Sequence, residues 1–364
     1  MTDKKSLFDR VTLGNTSLEN RVGVAPMTRI SATSEGLATD QMVSYYTSFA
    51  RGGFGFIITE GIYIDEKYSP GYIFQPGIVN DKQTEAWKKV VDSVHQEGAK
   101  IFAQIMHAGA LVHGNPFGKE SIAPSAVQPI GEKSEAYEGT GPYPMPREAT
   151  NDEITEVITG FVQAAKRAKL AGFNGIEIHG ANGYLLDHFL TEYTNQRTDE
   201  YGGSTENRVR LSVEVSKAIR EAVGDDFTIG IRISQGKVND YSHKWAGKEK
   251  DAEIIFGQLG RAGLDFIHVT EYEAWKPAFD SNGLSLAALA KKYGKIPVIA
   301  NGHLENPSIA KEMVENGEAD VITLGKGALA NHDWVNKVKN EEPLSEFKPE
   351  KVLSPNAKIK EFER

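Results

Sequence analysis

The chain has 364 residues, of which 40% are hydrophobic and 25% are charged, as is usual for a globular protein. Its formal net charge of −9 provides no basic surface for nucleic acid or for an anionic membrane, so we expect neither as a partner. The lack of cysteine excludes disulfide frameworks, thiolate nucleophiles and cysteine-ligated zinc or iron–sulfur sites, and we predict no metal site.

The first ten residues are rich in charge and lack an apolar core, so they do not resemble a secretory signal peptide. The apolar runs further along the chain have the size of strands and fall well short of the ~18 residues of a membrane span. We therefore expect a cytoplasmic protein. A homo-oligomer is compatible with the sequence, which does not specify an oligomeric state.

Eight short apolar runs that are rich in β-formers follow one another along the chain. Several are continuous rather than alternating, as in Phe-Gly-Phe-Ile-Ile-Thr at 54–59, which is typical of parallel strands covered on both faces. The predicted strands are 21–27, 54–61, 100–107, 173–180, 227–234, 266–273, 296–303 and 319–327.

Helical patterns separate these runs. The clearest covers 151–171, with apolar residues at helical spacing, a cap at Thr150 or Asn151, and Gly172 at its end. The other predicted helices are 81–97, 206–223, 248–262, 284–293 and 307–316. This repeated alternation predicts an α/β fold, a (β/α)8 TIM barrel. A doubly wound open sheet is the alternative, but Gly-x-Gly-x-x-Gly does not follow the first strand.

One long segment interrupts the alternation. Residues 108–150 contain six prolines and no periodicity, and they follow the third strand. Because barrels place their sites at the carboxyl ends of the strands, we interpret this loop as a lid or pocket wall. We predict one domain over 1–364, with the barrel at about 20–340 and a C-terminal tail at 341–364 as a peripheral cover.

Three polar side chains follow the fourth strand within six residues: His179, Asn182 and Tyr184. An imidazole, an amide and a phenol at one strand end could converge on a carbonyl group, which predicts a site. The alternative is structural, with His179 as a hydrogen-bonded core residue and Tyr184 packed on its helix.

The fifth strand carries Arg232, which is costly inside a barrel unless it meets an anion or a polar ring. A buried ion pair with Glu177 or Asp265 is the alternative role.

The seventh and eighth strands end in Asn-Gly-His at 301–303 and Gly-Lys-Gly at 325–327. Barrels often bind phosphate behind these two strands, where glycine lets backbone N–H groups approach closely. The sequence therefore indicates a phosphate site there.

The fourth-strand segment resembles the signature of the old yellow enzyme family of FMN-dependent ene-reductases. It reads Gly-Ile-Glu-Ile-His-Gly-Ala-Asn-Gly-Tyr-Leu-Leu at 175–186 and continues as Asn-Gln-Arg-Thr-Asp-Glu-Tyr-Gly-Gly-Ser-Thr-Glu-Asn-Arg at 195–208. Val-Ala-Pro-Met-Thr-Arg at 24–29, Ala-Gln-Ile at 103–105 and Gly-Lys at 325–326 are similar to further motifs of that family, in the same order. The resemblance spans about residues 6–340.

This resemblance implies that FMN binds over the barrel, that NADH or NADPH is a transient hydride donor, and that a small enone or nitro compound is reduced. Reduced FMN would deliver hydride to Cβ of the substrate. His179 and Asn182 would bind its carbonyl and Tyr184 would protonate Cα. The implied cofactor-binding residues are Pro26, Met27 and Thr28 at the flavin ring, Gly61 beside it, Gln104 at the pyrimidine edge, Arg232 at N1 and the C2 carbonyl, and Gly302, Gly325 and Lys326 at the phosphate.

Three positions depart from the family pattern. Lys326 stands where arginine is usual, so a point charge replaces a bidentate fork. Met106 and His107 stand where many relatives have a tryptophan. Thr28 and Asn182 match one branch of the family and Met106-His107 match others, so no subclass is predicted.

Three other functions remain open on the sequence alone. They are another FMN barrel dehydrogenase, a barrel lyase or isomerase that binds a sugar phosphate behind strands seven and eight, and a catalytically silent barrel.

Overall fold

Eight short parallel strands form a closed barrel in this computed structural model, which describes residues 5–118 and 120–364. Each strand pairs with the next along the chain, and the eighth pairs with the first. The strands are β1 Val22–Val24, β2 Phe56–Ile58, β3 Lys100–Met106, β4 Gly175–Asn182, β5 Thr228–Lys237, β6 Phe266–Thr270, β7 Val298–Asn301 and β8 Val321–Leu324. The predicted TIM barrel is confirmed, and the open sheet is excluded.

Helices cover the outside of the barrel. They are α1 Asp40–Arg51, α2 Asp81–Gln96, α3 Asn151–Leu170, α4 Leu185–Leu190, α5 Thr205–Arg208, α6 Arg210–Val223, α7 Glu249–Leu259, α8 Leu286–Gly294, α9 Pro307–Glu315, α10 Lys326–Ala330, α11 Trp334–Lys339 and α12 Pro349–Val352. The predicted helix at 206–223 is divided between α5 and α6. Within the described residues, no helix is long and apolar enough to cross a membrane.

Helix α3 shows why the sequence forms these elements where it does. The Thr150 hydroxyl accepts the Glu153 N–H at 3.2 Å, and the Glu153 carboxylate accepts the Thr150 N–H at 2.9 Å. This reciprocal capping box satisfies backbone donors at the first turn. Apolar residues from Ile154 to Ala168 lie buried on one face of the helix.

Helix α1 lies outside the predicted elements. The Thr39 side chain caps it, and Met42, Tyr45, Tyr46 and Phe49 are buried along one face. Their spacing is helical, so the signal is present in the sequence. Serine, threonine and tyrosine, which have modest helix propensity, weaken it.

An antiparallel hairpin of strands Val11–Leu13 and Thr16–Leu18 also lies outside the predicted elements. Its Leu13 and Leu18 pack with buried apolar residues of the barrel strands, among them Phe56, Phe102 and Phe266. Apolar side chains therefore fill this end of the barrel. The cavity described below lies at the other end.

The C-terminal tail reaches the interior of the molecule, which an interpretation as a peripheral cover misses. Glu363 is fully buried, and its two carboxylate oxygens accept hydrogen bonds from the Arg29 guanidinium at 2.6 and 2.7 Å. The backbone N–H of Ala357 donates to the carbonyl of Ala136 at 2.7 Å. The tail thus joins the end of β1 to the long loop that follows β3.

Candidate active site

A cavity of about 590 Å³ lies at the carboxyl ends of the barrel strands. Its wall includes residues of the long loop after β3, of the loop after β5, and Phe347 and Leu353 of the tail. The predicted site residues that line it are Pro26, Met27, Thr28, Gly61, Gln104, His179, Asn182, Tyr184, Arg232, Gly325 and Lys326. The fold therefore collects these residues, from six different strand ends, around one space.

Gly302 lies outside the lining of this cavity. Its φ is +136°, and a Cβ there would lie 1.9 Å from the carbonyl oxygen of Glu271. Its own carbonyl accepts the Ala274 N–H at 3.1 Å. Glycine is thus needed for the close packing of the loops after β6 and β7, and its role at a phosphate stays a prediction.

Arg232 reaches the cavity from β5 and is almost fully buried. One of its terminal nitrogens donates to Asn301 Oδ1 at 2.7 Å, and its Nε has no partner among the described residues. Burial lowers the pKa of this guanidinium to about 10, although the Glu177 carboxylate opposes that change. Arg232 therefore presents a buried cationic N–H donor, the type of group that binds an anion or an electron-rich ring edge.

The two alternative partners of Arg232 are engaged elsewhere. Asp265 pairs with Arg220 at 2.6 Å, far down the barrel. Glu177 accepts hydrogen bonds from Gln104 Nε2 at 2.8 Å and pairs with His268 Nδ1 at 2.6 Å.

A buried polar network lies beneath the cavity and was not predicted from the sequence. His268 Nε2 is 2.9 Å from the Thr323 hydroxyl, and Asn301 Nδ2 donates to the Thr323 carbonyl at 2.9 Å. Burial lowers the pKa of His268, against the effect of the adjacent Glu177 carboxylate. The network runs from Gln104 to Arg232, so it fixes the orientation of both predicted cofactor-binding side chains.

His179, Asn182 and Tyr184 all line the cavity from the end of β4, and their predicted role at a substrate carbonyl stays a prediction. The rings of His179 and Tyr184 make an edge-to-face contact with centroids 4.8 Å apart. Burial, and then the charge of Arg232, lower the pKa of His179 well below its usual value, so the imidazole is neutral at pH 7. Its Nδ1 has no partner among the described residues.

Asn182 ends β4 in a left-handed backbone conformation, with φ of 63°. Asparagine tolerates this region better than most residues, and such strain is frequent at functional sites. The backbone N–H of Asn182 donates to the Ser234 hydroxyl of β5 at 2.8 Å, so the strained turn is held from the neighbouring strand.

Tyr72, from the loop after β2, is a site residue that sequence reasoning missed. Its hydroxyl lies 2.5 Å from that of Tyr184, and both side chains line the cavity. Burial raises the pKa of both phenols above their usual value, so both are protonated at pH 7. Tyr72 sits in an aperiodic segment with no local signal, and its position becomes apparent only from the fold.

The long loop after β3 forms the far wall of the cavity, in agreement with its interpretation as a pocket wall. His113 stacks on Tyr72 with ring centroids 4.8 Å apart, and Tyr137 and Tyr143 pack around them. This wall is aromatic, which suits a flat organic molecule.

A family model described as the NADH:flavin oxidoreductase / NADH oxidase family matches residues 6–345. The chain is 36% identical over 348 residues to the NADH oxidase of Thermoanaerobacter brockii, and this alignment covers 93% of the chain and 51% of that protein. It is 37% identical over 344 residues to the probable flavin mononucleotide-dependent alkene reductase of Leishmania infantum, and this alignment covers 93% of the chain and 91% of that protein. The chain thus spans about half the length of the first relative and most of the second.

Among solved structures, the old yellow enzyme homologue from Zymomonas mobilis superposes with a TM-score of 0.85 at 32% identity, covering 94% of each chain. The sequence resemblance, the barrel and the residues that line its cavity agree with these matches. The chain therefore belongs to the NADH:flavin oxidoreductase / NADH oxidase family, the old yellow enzymes, whose cofactor is FMN and whose hydride donor is NADH.

Proposed function

We propose that this chain is an NAD(P)H-dependent, FMN-containing ene-reductase that reduces an α,β-unsaturated carbonyl or nitro compound. The observation that carries the proposal is that His179, Asn182 and Tyr184, from the end of β4, line one cavity together with the buried cation of Arg232 on the neighbouring strand. The alkene reductase name of the Leishmania relative supports the same reaction type.

The residues at the cavity fit FMN. The buried, unpartnered Nε of Arg232 would hold the N1 and C2 carbonyl edge of the ring. Gln104 donates one N–H to Glu177, which leaves its other N–H and its carbonyl oxygen for the pyrimidine edge. Thr28 would contact the C4 carbonyl. Lys326, which is exposed at the start of α10, would hold the phosphate with Gly325.

The redox chemistry, hydride uptake from NAD(P)H and hydride delivery to Cβ, is supplied by bound FMN. The protein would contribute polarity at the other end of the substrate. A neutral His179 keeps one N–H to donate, and the Asn182 amide provides a second donor to the same carbonyl oxygen. Two donors aimed at that oxygen stabilise the enolate charge that develops when Cβ is reduced.

Tyr184 would then protonate Cα. Burial keeps its phenol protonated, and the hydrogen bond with Tyr72 opposes the rise in pKa because it stabilises the phenolate left behind. A positioned acid of this kind contributes about 10²–10⁴-fold to rate.

The decisive experiment combines an absorbance spectrum with two half-reactions. The purified protein should be yellow and release FMN on acid treatment, NAD(P)H should bleach it, and 2-cyclohexenone should restore the colour. FAD, or no flavin after reconstitution, would contradict the cofactor assignment. Bleaching without reoxidation by any enone or nitroalkene would contradict the ene-reductase assignment and favour another flavin dehydrogenase.

A further inference from the structure

A buried ion pair lies directly behind the proposed catalytic side chains. Lys237, the last residue of β5, places its Nζ 3.0 Å from both carboxylate oxygens of Asp187 in α4. Their side chains are 1% and 0% exposed. Neither residue lines the cavity, so neither would touch the substrate.

The carboxylate of Asp187 holds the turn that connects Asn182 to Tyr184. Its Oδ2 accepts the backbone N–H of Gly183 at 2.6 Å. Asn182 and Gly183 both have left-handed backbone conformations, with φ of 63° and 87°. Such a turn persists only when its surroundings fix it, and this hydrogen bond comes from a charged group.

The other partner of the pair holds the loop after β5. Lys237 exchanges backbone hydrogen bonds with Asp240 at 2.9 and 3.2 Å, which closes a turn. Val238 donates its N–H to the carbonyl of Asn182 at 3.1 Å. Val238 and Tyr241 of this loop line the cavity. The ion pair therefore ties the β4 turn to this part of the pocket wall.

Stability alone explains such a pair poorly. Two charges lose their hydration on burial, and apolar residues of similar volume often serve as well or better. An ion pair also fixes the relative positions of the two segments that carry it, because the Nζ and both carboxylate oxygens must meet within hydrogen-bond distance.

We propose that Lys237 and Asp187 are positioning residues that hold Asn182 and Tyr184 at the substrate carbonyl and align them with the wall formed by the loop after β5. This inference rests on the proposed ene-reductase function. It predicts that loss of the pair misplaces the two side chains while the flavin site, on β1, β3, β5 and β8, remains intact.

The test replaces the pair by apolar residues of similar size, Lys237→Met with Asp187→Leu. Flavin content and reoxidation by a quinone should be retained. Binding of a para-substituted phenol is followed by the long-wavelength absorbance that it produces with the flavin, and its dissociation constant should rise about ten-fold. Reoxidation by an enone should slow by up to about 10²-fold, which is the scale of a small misplacement of reacting groups. The matched control is Arg220→Met with Asp265→Leu, a charge pair remote from the cavity, which should leave both quantities unchanged.

Parental phenol binding and enone reoxidation in the folded apolar variant would overturn the proposal. If that variant does not retain flavin, phenol binding and enone reoxidation are measured instead in the milder double variant Lys237→Gln with Asp187→Asn. A loss in both quantities supports the proposal, and parental values overturn it. Phenol binding also separates this test from the function itself, because a parent enzyme that binds the phenol but reduces no enone would refute the ene-reductase assignment alone.

Discussion

The buried phenols of Tyr184 and Tyr72 share a 2.5 Å hydrogen bond. The proposed role of Tyr184 as the proton donor can be tested by removing one oxygen atom. Tyr184→Phe removes the hydroxyl and keeps the ring. Flavin reduction by NAD(P)H and reoxidation by a quinone should be nearly unchanged, because neither needs a proton on carbon. Enone reoxidation should slow by about 10²–10⁴-fold. Stopped-flow absorbance of the two half-reactions measures this, and an unchanged enone rate would assign the proton to another donor.

The neutral His179 and the Asn182 amide are the proposed carbonyl donors. In the double variant His179→Ala with Asn182→Ala, phenol binding and enone turnover should both fall steeply, because each N–H stabilises developing charge on the same oxygen. Flavin content should be retained, since neither residue belongs to the proposed flavin contacts. Titration with a para-substituted phenol gives the readout, and an undiminished absorbance band would remove both residues from this role.

Lys326 provides a third test at this scale. Lys326→Ala should weaken FMN binding by roughly 1.5–3 kcal/mol, the usual contribution of a charge-assisted contact, with little effect on the half-reactions of reconstituted enzyme. Flavin dissociation constants measure the change. Lys311→Ala, an exposed lysine on α9, is the control and should have no effect. An unchanged constant for the Lys326 variant would place the phosphate elsewhere.

Among the secondary-structure elements, α3 has the most completely defined start. Thr150→Ala removes the hydroxyl that accepts the Glu153 N–H and should lower the free energy of unfolding by about 1 kcal/mol. Thr155→Ala on the exposed face of the same helix is the control. Its hydroxyl only bonds back to the Asn151 carbonyl, so we expect little change. Urea unfolding of both variants compares them, and equal stabilities would show that the cap contributes nothing.

The elements also show how far the sequence predicts this molecule. The barrel strands were predictable because parallel strands buried on both faces give continuous apolar runs, as at 54–59. The hairpin at Val11–Leu13 and Thr16–Leu18 was not, because its strands read Val-Thr-Leu and Thr-Ser-Leu and contain no continuous apolar run.

Some of the site residues could likewise be predicted from the sequence, and others could not. His179, Asn182 and Tyr184 lie within one short segment, so their proximity is local and readable from sequence. The contacts of Tyr72 with Tyr184 and of Glu177 with His268 bring together residues 112 and 91 positions apart. Only the closed barrel brings these residues into contact.

For the molecule as a whole, a substitution in the buried pair of Arg29 and Glu363 tests how strongly this pair anchors the C-terminal tail. Glu363→Gln removes the carboxylate that pairs with the Arg29 guanidinium, and we expect a loss of about 3 kcal/mol in the free energy of unfolding, near the lower end for a broken buried pair. Carbonyl acceptors at Ala357 and Lys358 limit the loss.

Glu361→Gln supplies the control, since this glutamate lies in the same short segment but is 86% exposed. Surface pairs contribute little, so its stability should match the parent. Equal stabilities of the Glu363 and Glu361 variants would show that the tail docks without help from the ion pair.

The separation of Arg29 and Glu363 in the chain has a consequence for the order of events during synthesis. The two residues are 334 positions apart. At about 5–20 residues per second, Glu363 emerges from the ribosome roughly 20–70 s after Arg29. Until then Arg29 lacks the carboxylate that accepts hydrogen bonds from both of its terminal nitrogens, so its charge favours remaining in water. We therefore expect Met27 and Thr28, which immediately precede Arg29, to reach their final setting only after Glu363 has been made.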